Sequence, residues 1–172
     1  MMKPEEIAKA GCAPKNSFED PMDHLLACHR RIEQRLDSLD LVAANMDAKP
    51  VEARDALKAA FKYFDTNGHW HTEDEEISIF PRIETQLNDE ERLFVTQLEA
   101  QHHRAEACYS TLKAAAVSLD DNLRTAIAEF NAIYREHIAT EESQLITIGR
   151  KYLSAEQLTL ISAEMKQRRG LS

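Results

Sequence analysis

Residues 123–148 read LRTAIAEFNAIYREHIATEESQLITI. Within them Leu123, Ile127, Phe130, Tyr134, His137, Glu141, Leu145 and Ile148 recur in steps of four and three, the spacing that lines side chains along one face of an α-helix. The stripe is apolar at both ends and polar at its middle, where His137 and Glu141 stand one turn apart. An amphipathic helix of this length draws its stability from burying such a stripe against other helices. Its polar centre therefore enters the core as well. Three further stretches repeat the design: Leu25, His29, Ile32, Leu36 and Leu39; Leu57, Phe61, Phe64, Gly68, His71 and Glu75; and Val95, Leu98, His102, Ala105, Tyr109, Leu112 and Ala116. Each of the four stripes carries a histidine, and the second and fourth add a glutamate four residues later.

Local signals mark where the helices begin and end. Asp20 is placed to cap the first, with Pro21 at its first position and Asp23 near the positive end of its dipole, and the pattern carries to about Asp47. The second follows Pro50 and is expected to kink or end at Pro81. Asn88 and Glu91 form a capping-box pair for the third, and the turn from Ser118 to Asp121 precedes the fourth. Ser154 and Gln157 are in register to cap a short fifth helix. Gly11, Pro14 and Asn16 break any helix in residues 1–19, which read as an arm ahead of one domain over 20–172. The expected fold is all-α: an antiparallel up-down-up-down four-helix bundle with an N-terminal arm and a C-terminal fifth helix.

Composition agrees and excludes other classes. The chain has 172 residues, 43% hydrophobic and 30% charged, with four glycines and five prolines, the balance of one globular domain rich in helix formers. A formal charge of -9 without a basic stripe argues against nucleic acid and anionic membrane surfaces as partners. The opening residues lack the apolar core of a signal peptide, and no apolar run approaches the length of a membrane span, so the expectation is a cytoplasmic protein. Cys12, Cys28 and Cys108 are odd in number and lack C-x-x-C spacing, which points to reduced thiols rather than a disulfide framework or a zinc–thiolate site.

Burying an unpaired imidazole or carboxylate costs several kcal/mol, about 2–7 for a neutral polar group, so the polar centres need partners. Counting outward from the connections brings them to one level. Glu75 lies 13 residues before Asn88 and His102 lies 14 after it; His102 lies 16 before Ser118 and His137 lies 19 after it. The chain also repeats itself: His29-Arg-Arg-Ile-Glu33 echoes His102-His-Arg-Ala-Glu106, and His71-x-x-x-Glu75-Glu76 echoes His137-x-x-x-Glu141-Glu142. Two similar hairpins thus present four imidazoles and two carboxylates to a common centre. That donor set suits two intermediate divalent ions, with each glutamate able to bridge them, whereas a single zinc needs fewer ligands.

The motifs Cys-His29-Arg-Arg-Ile-Glu, His71-Thr-Glu-Asp-Glu75-Glu-Ile-Ser-Ile-Phe-Pro81, the run begun by His102, and His137-Ile-Ala-Thr-Glu141-Glu together resemble the hemerythrin HHE cation-binding family over about residues 20 to 150. The resemblance implies that His29, His71, Glu75, His102, His137 and Glu141 hold two iron ions joined by a bridging oxo or hydroxo group. It also shows a departure. Oxygen-carrying hemerythrins have a second histidine one turn after the first on the third helix, where this chain has Glu106, and their fourth-helix motif ends in aspartate one residue later. Here the fourth helix looks like the bacterial, glutamate-containing branch. Two octahedral ions offer twelve sites; the ligands and one bridging oxygen leave two open, an arrangement for exchange with water, oxygen, peroxide or nitric oxide.

Other polar residues read differently. His69 points away from His71 and is expected at the surface, as is His24; Trp70 is expected to pack. His103 is the rival of His102, which fits the stripe better. Glu33, Glu106 and Tyr134 are candidates for positions just outside the ligands. The functional readings are a di-iron protein that reacts with or senses oxygen, nitric oxide or peroxide; a storage, carrier or iron-supply protein without turnover; and a di-iron oxidoreductase. Leu158, Ile161 and Met165 on the fifth helix are expected to cover either the bundle or a partner helix in a homodimer.

Overall fold

The computed structural model describes residues 18–171. The arm expected over residues 1–19 lies outside the described residues up to position 17. Phe18, the first described residue, is buried, and its ring stacks on His24 at 4.1 Å between centroids.

Five helical rods make up the described residues. The first, α1, spans Pro21–Asn45, and its Asp20 cap accepts from the backbone N–H of Met22 and Asp23. The second rod, α2, begins as Pro50–Tyr63, widens into a π turn at Phe64–Gly68, returns to α geometry at His69–Glu73, and widens again at Asp74–Ile79. It then passes through Phe80–Ile83 to a 3₁₀ turn at Glu84–Gln86. Helix α3 (Asp89–Ala115) starts at the Asn88–Glu91 capping box, α4 (Asp121–Tyr152) at an Asp120 cap, and α5 (Ala155–Arg168) at the Ser154–Gln157 capping box. Short connections make successive rods antiparallel, α1 packs on α2 and α4, and α4 packs on α3.

The expected stripes form the core with local adjustments. All eight stripe residues of α4 are buried. On α2, Ala53, Leu57, Ala60, Tyr63 and Phe64 take the interior while Phe61 is only partly buried. Pro81 does not end α2; it sits in the short helical stretch just beyond the second π turn, where a missing N–H and a fixed φ are tolerated. The two π turns, which periodicity did not foreshadow, flank His71. Gly68 closes the first, because a Cβ there would stand 3.1 Å from Phe64 Cδ1, so the glycine admits the phenylalanine ring.

Two apolar clusters fill the bundle. One contains Ile32, Leu36, Leu57, Leu112, Ile127 and Phe130; the other contains Met22, Leu25, Ile79, Leu98, Leu145 and Ile161. Between them lies the polar layer. Helix α5 takes the side of the bundle near the second cluster, with Ile161 and Met165 wholly buried and Leu158 partly so. Of the two expected roles for Leu158, Ile161 and Met165, these residues take the first and cover their own bundle. No helix among the described residues is long and apolar enough to cross a membrane.

Candidate metal centre

Stripe geometry delivers His29 from α1, His71 and Glu75 from α2, His102 from α3, and His137 and Glu141 from α4 to one level of the core, each 8% exposed or less. The Nε2 atoms converge on the two carboxylates. Glu141 Oε2 lies 2.9 Å from His29 Nε2, 3.5 Å from His137 Nε2 and 3.8 Å from His71 Nε2. Glu75 offers Oε1 to His71 Nε2 at 3.1 Å and Oε2 to His102 Nε2 at 3.2 Å. Ligating atoms of His71, Glu75, His137 and Glu141 all fall within 4.8 Å of one another, and His29 joins that group at Glu141 while His102 joins it at Glu75.

The outward nitrogens are held by residues that sequence reading left without a role. His29 Nδ1–H donates to Glu142 at 2.9 Å, and His102 Nδ1–H donates to Glu76 at 2.7 Å. His137 Nδ1 meets Gln101 Oε1 at 3.3 Å, and Gln101 in turn donates to Thr140. With Nδ1 committed outward, Nε2 is the atom left to face the interior. The signal was present in the repeat itself, since Glu76 and Glu142 are the second members of the two Glu-Glu pairs. Glu33 joins this outer layer through Arg30, which bonds both Glu33 and Glu142. Tyr134 is buried with its ring against His137, 6.0 Å between centroids.

Electrostatics divide the four imidazoles into two kinds. Burial opposes a charge on His29, but Glu141 and Glu142 outweigh it and push the ring up to about 9. His102 behaves alike, with Glu75 and Glu76 raising it to about 10 against the cost of burial. His71 and His137 are held well below the usual histidine range by burial and by the neighbouring imidazoles. Burial, then the charge of Glu141, pushes Glu75 up to about 7.

A proton on His29 and another on His102 do not satisfy the layer. Both nitrogens of His71, both oxygens of Glu75, Nε2 of His102 and Oε1 of Glu141 are buried without a hydrogen-bond partner; the close contacts of Glu75 have the distance of hydrogen bonds but not their alignment. Each such atom costs about 1–3 kcal/mol, and several together rival the whole net stability of a domain, about 5–15 kcal/mol. A cation seated among them removes that cost, and the mixed imidazole and carboxylate donors fit one. A comparison with known protein families matches residues 20–148 to the hemerythrin HHE cation binding domain. The chain belongs to the hemerythrin HHE cation-binding family. A comparison with curated proteins finds no match. As the family implies, this hemerythrin-like domain has a His/Glu cluster able to hold metal.

The remaining candidates fall elsewhere. His69 is exposed and pairs with Glu73 at 3.4 Å, and Trp70 packs beneath the Arg169 guanidinium. His103 and Glu106 are exposed on the wall of a cavity of about 370 Å³ between α2 and α3, whose lining also includes Gly68, His102, Ala105, Tyr134 and His137. The expectation for His24 is corrected: it is fully buried, 3.4 Å from Cys28 Sγ and 4.0 Å from Asp74. It follows the off-stripe face of α1 that α5 and Phe18 cover. Cys28 and Cys108 are free thiols; Cys12 lies outside the described residues.

Proposed function

We propose that the cage holds two iron ions with a bridging oxo or hydroxo group, through His29, His71, Glu75, His102, His137 and Glu141, and that the chain reacts with or senses oxygen, nitric oxide or peroxide. The observation that carries this reading is the set of buried, partnerless nitrogen and oxygen atoms centred on Glu75 and His71. When bound, such an iron pair supplies redox chemistry toward small oxidants and diatomic molecules. The protein's own residues supply the rest. Glu142 and Glu76 hold His29 and His102 with Nε2 inward. Glu75 and Glu141 stand between histidines of different helices, where a carboxylate can span two cations.

Access favours a small-molecule role. The cavity is lined by His102 and His137 together with Phe64, Phe130 and Tyr134, so it offers a small molecule a way to both rings. Rapid mixing of the ferrous protein with oxygen, followed by absorption, tests this. The expected result is oxidation to a stable ferric form, without sustained consumption of oxygen when reductant is added. Sustained consumption makes the protein an oxidoreductase, and a long-lived, fully reversible oxygen complex makes it a carrier.

A further inference from the structure

The family match ends at residue 148, yet the last turn of α5, Ala155–Arg168, reaches back into the bundle beside the cage. Asp74, the residue before Glu75, is fully buried. Arg168 donates to its Oδ1 at 2.8 Å, and Arg169 donates to Oδ1 at 3.2 Å and to Oδ2 at 2.7 Å. Arg168 also donates to Ser78 Oγ at 2.7 Å. Asp74 opens the second π turn, Asp74–Ile79, and Ser78 stands near its close, so the two guanidinium groups grip both ends of the widened segment that carries Glu75.

That grip is built into the end of α5. Gly170 has φ 64, the left-handed conformation that glycine adopts without strain, and Leu171 N–H returns to Lys166 O at 2.9 Å, which stops the helix directly after Arg169. Arg169 is further fixed by donating to Met165 O at 2.9 Å and by lying over the rings of Phe18 and Trp70, each 5.7 Å from the guanidinium carbon. A π turn departs from α geometry by one added residue, and surrounding contacts maintain it. Relaxing it by one register rotates Glu75 relative to His71.

We propose that Arg168 and Arg169 are positioning residues for Glu75: through Asp74 and Ser78 they hold the π turn that presents its carboxylate to the cage, so that α5 governs how firmly metal is kept. The proposal rests on the metal-binding reading above for its effect on metal, and on the α5 contacts alone for its effect on the turn. The control is Gln157→Ala, which loosens the start of α5 by removing the capping-box bond from Ser154 N–H to Gln157 Oε1 at 2.9 Å, without touching residues 74–79.

The experiment compares unmodified protein, Arg169→Gln, Asp74→Asn and Gln157→Ala, each loaded with ferrous iron and then challenged with a coloured ferrous chelator well below the unfolding temperature. In parallel, amide hydrogen exchange is followed across residues 74–79 in the metal-free proteins. Arg169→Gln and Asp74→Asn are expected to lose iron about 10- to 100-fold faster, the usual effect of removing an outer support of a ligand, with faster exchange across 74–79. Gln157→Ala is expected to stay within about twofold of the unmodified protein. Asp74→Asn keeps the side-chain shape and both arginines, so it decides the matter if Arg169→Gln fails to fold. Iron loss and exchange in both clamp variants no faster than in Gln157→Ala overturn the proposal. If the unmodified protein takes up no iron, the metal-binding reading falls, and exchange across 74–79 alone still decides the clamp.

Discussion

Around His29 and His71 the cage is closed. Ile32 fills the next turn of α1, His24, Cys28 and Asp74 lie buried alongside, and α5 seals that flank with Arg168 and Arg169. Around His102 and His137 it is open: Ala105 stands where α1 has Ile32, and the cavity of about 370 Å³ reaches both rings. The two hairpins thus repeat the candidate ligands, and even the glutamates that hold His29 and His102 from outside, while their surroundings diverge. Under the proposed function, retention and access are divided between the halves. A pseudosymmetric cage needs both: a flank that keeps its polar atoms fixed and dry, and a flank through which a small molecule can arrive.

The comparison breaks most visibly if its shared centre is removed. Glu141→Ala unpairs imidazoles from both halves; loss of a buried partner costs about 3–5 kcal/mol, and at about 2–4 °C per kcal/mol for a chain of this size the unfolding midpoint should fall by roughly 10 °C, with metal lost. His69→Ala, on the exposed face of the same layer, should change neither metal content nor midpoint. Equal losses in calorimetry and metal analysis would mean that the phasing of α2 is wrong.

Acidity sharpens the account next. His29 at about 9 and His102 at about 10 are protonated at neutral pH in the metal-free protein, and a cation must displace those protons. Metal affinity should therefore rise with pH, by up to about tenfold per unit for each proton released, and calorimetry in buffers of different ionisation heat should register the two imidazole protons together with the fraction of one that Glu75, pushed up to about 7, still holds. For the metal-free protein the sign is opposite. Folded values raised above the ordinary histidine value contribute stability that is complete below about pH 6.5 and is lost as pH climbs through 9 to 10. Metal affinity independent of pH between 6 and 9 would contradict this pairing.

A smaller effect is expected from making the open half resemble the closed one. Ala105→Ile should narrow the cavity and slow oxidation of the ferrous protein while leaving metal content intact, at a stability cost of about 1–3 kcal/mol if the added methylenes crowd the core. Stopped-flow rates unchanged by the substitution would show that small molecules reach the cage by another route. The smallest effect belongs to Glu106→Gln. Its carboxylate is exposed on the cavity wall, so metal content should hold and stability should move by less than about 0.5 kcal/mol. Metal loss in that variant would bring Glu106 into the cage.

What was legible in the sequence was whatever periodicity and spacing encode. Helix number and the convergence of six polar stripe residues follow from a regular 3.6-residue repeat, and the caps at Asp20, Asn88 and Ser154 from the local chemistry of helix starts. The π turns did not, because each inserts a residue into that repeat without any composition of its own; Gly68 is the nearest thing to a mark. His24 was misplaced for a related reason. One stripe describes a helix with one buried face, but α1 is covered on a second face by Phe18 and α5, and a buried polar residue there has no periodic signature. Arg168 and Arg169 were invisible as functional residues because charged residues in a last helical turn ordinarily serve the dipole at the surface.

The central claim is tested most directly by metal content measured together with the absorption spectrum of protein freshly purified from iron-supplied cells. The account predicts close to two irons per chain and oxo-to-iron charge-transfer bands in the near ultraviolet. A chain that takes up no iron and binds a single zinc tightly would contradict it.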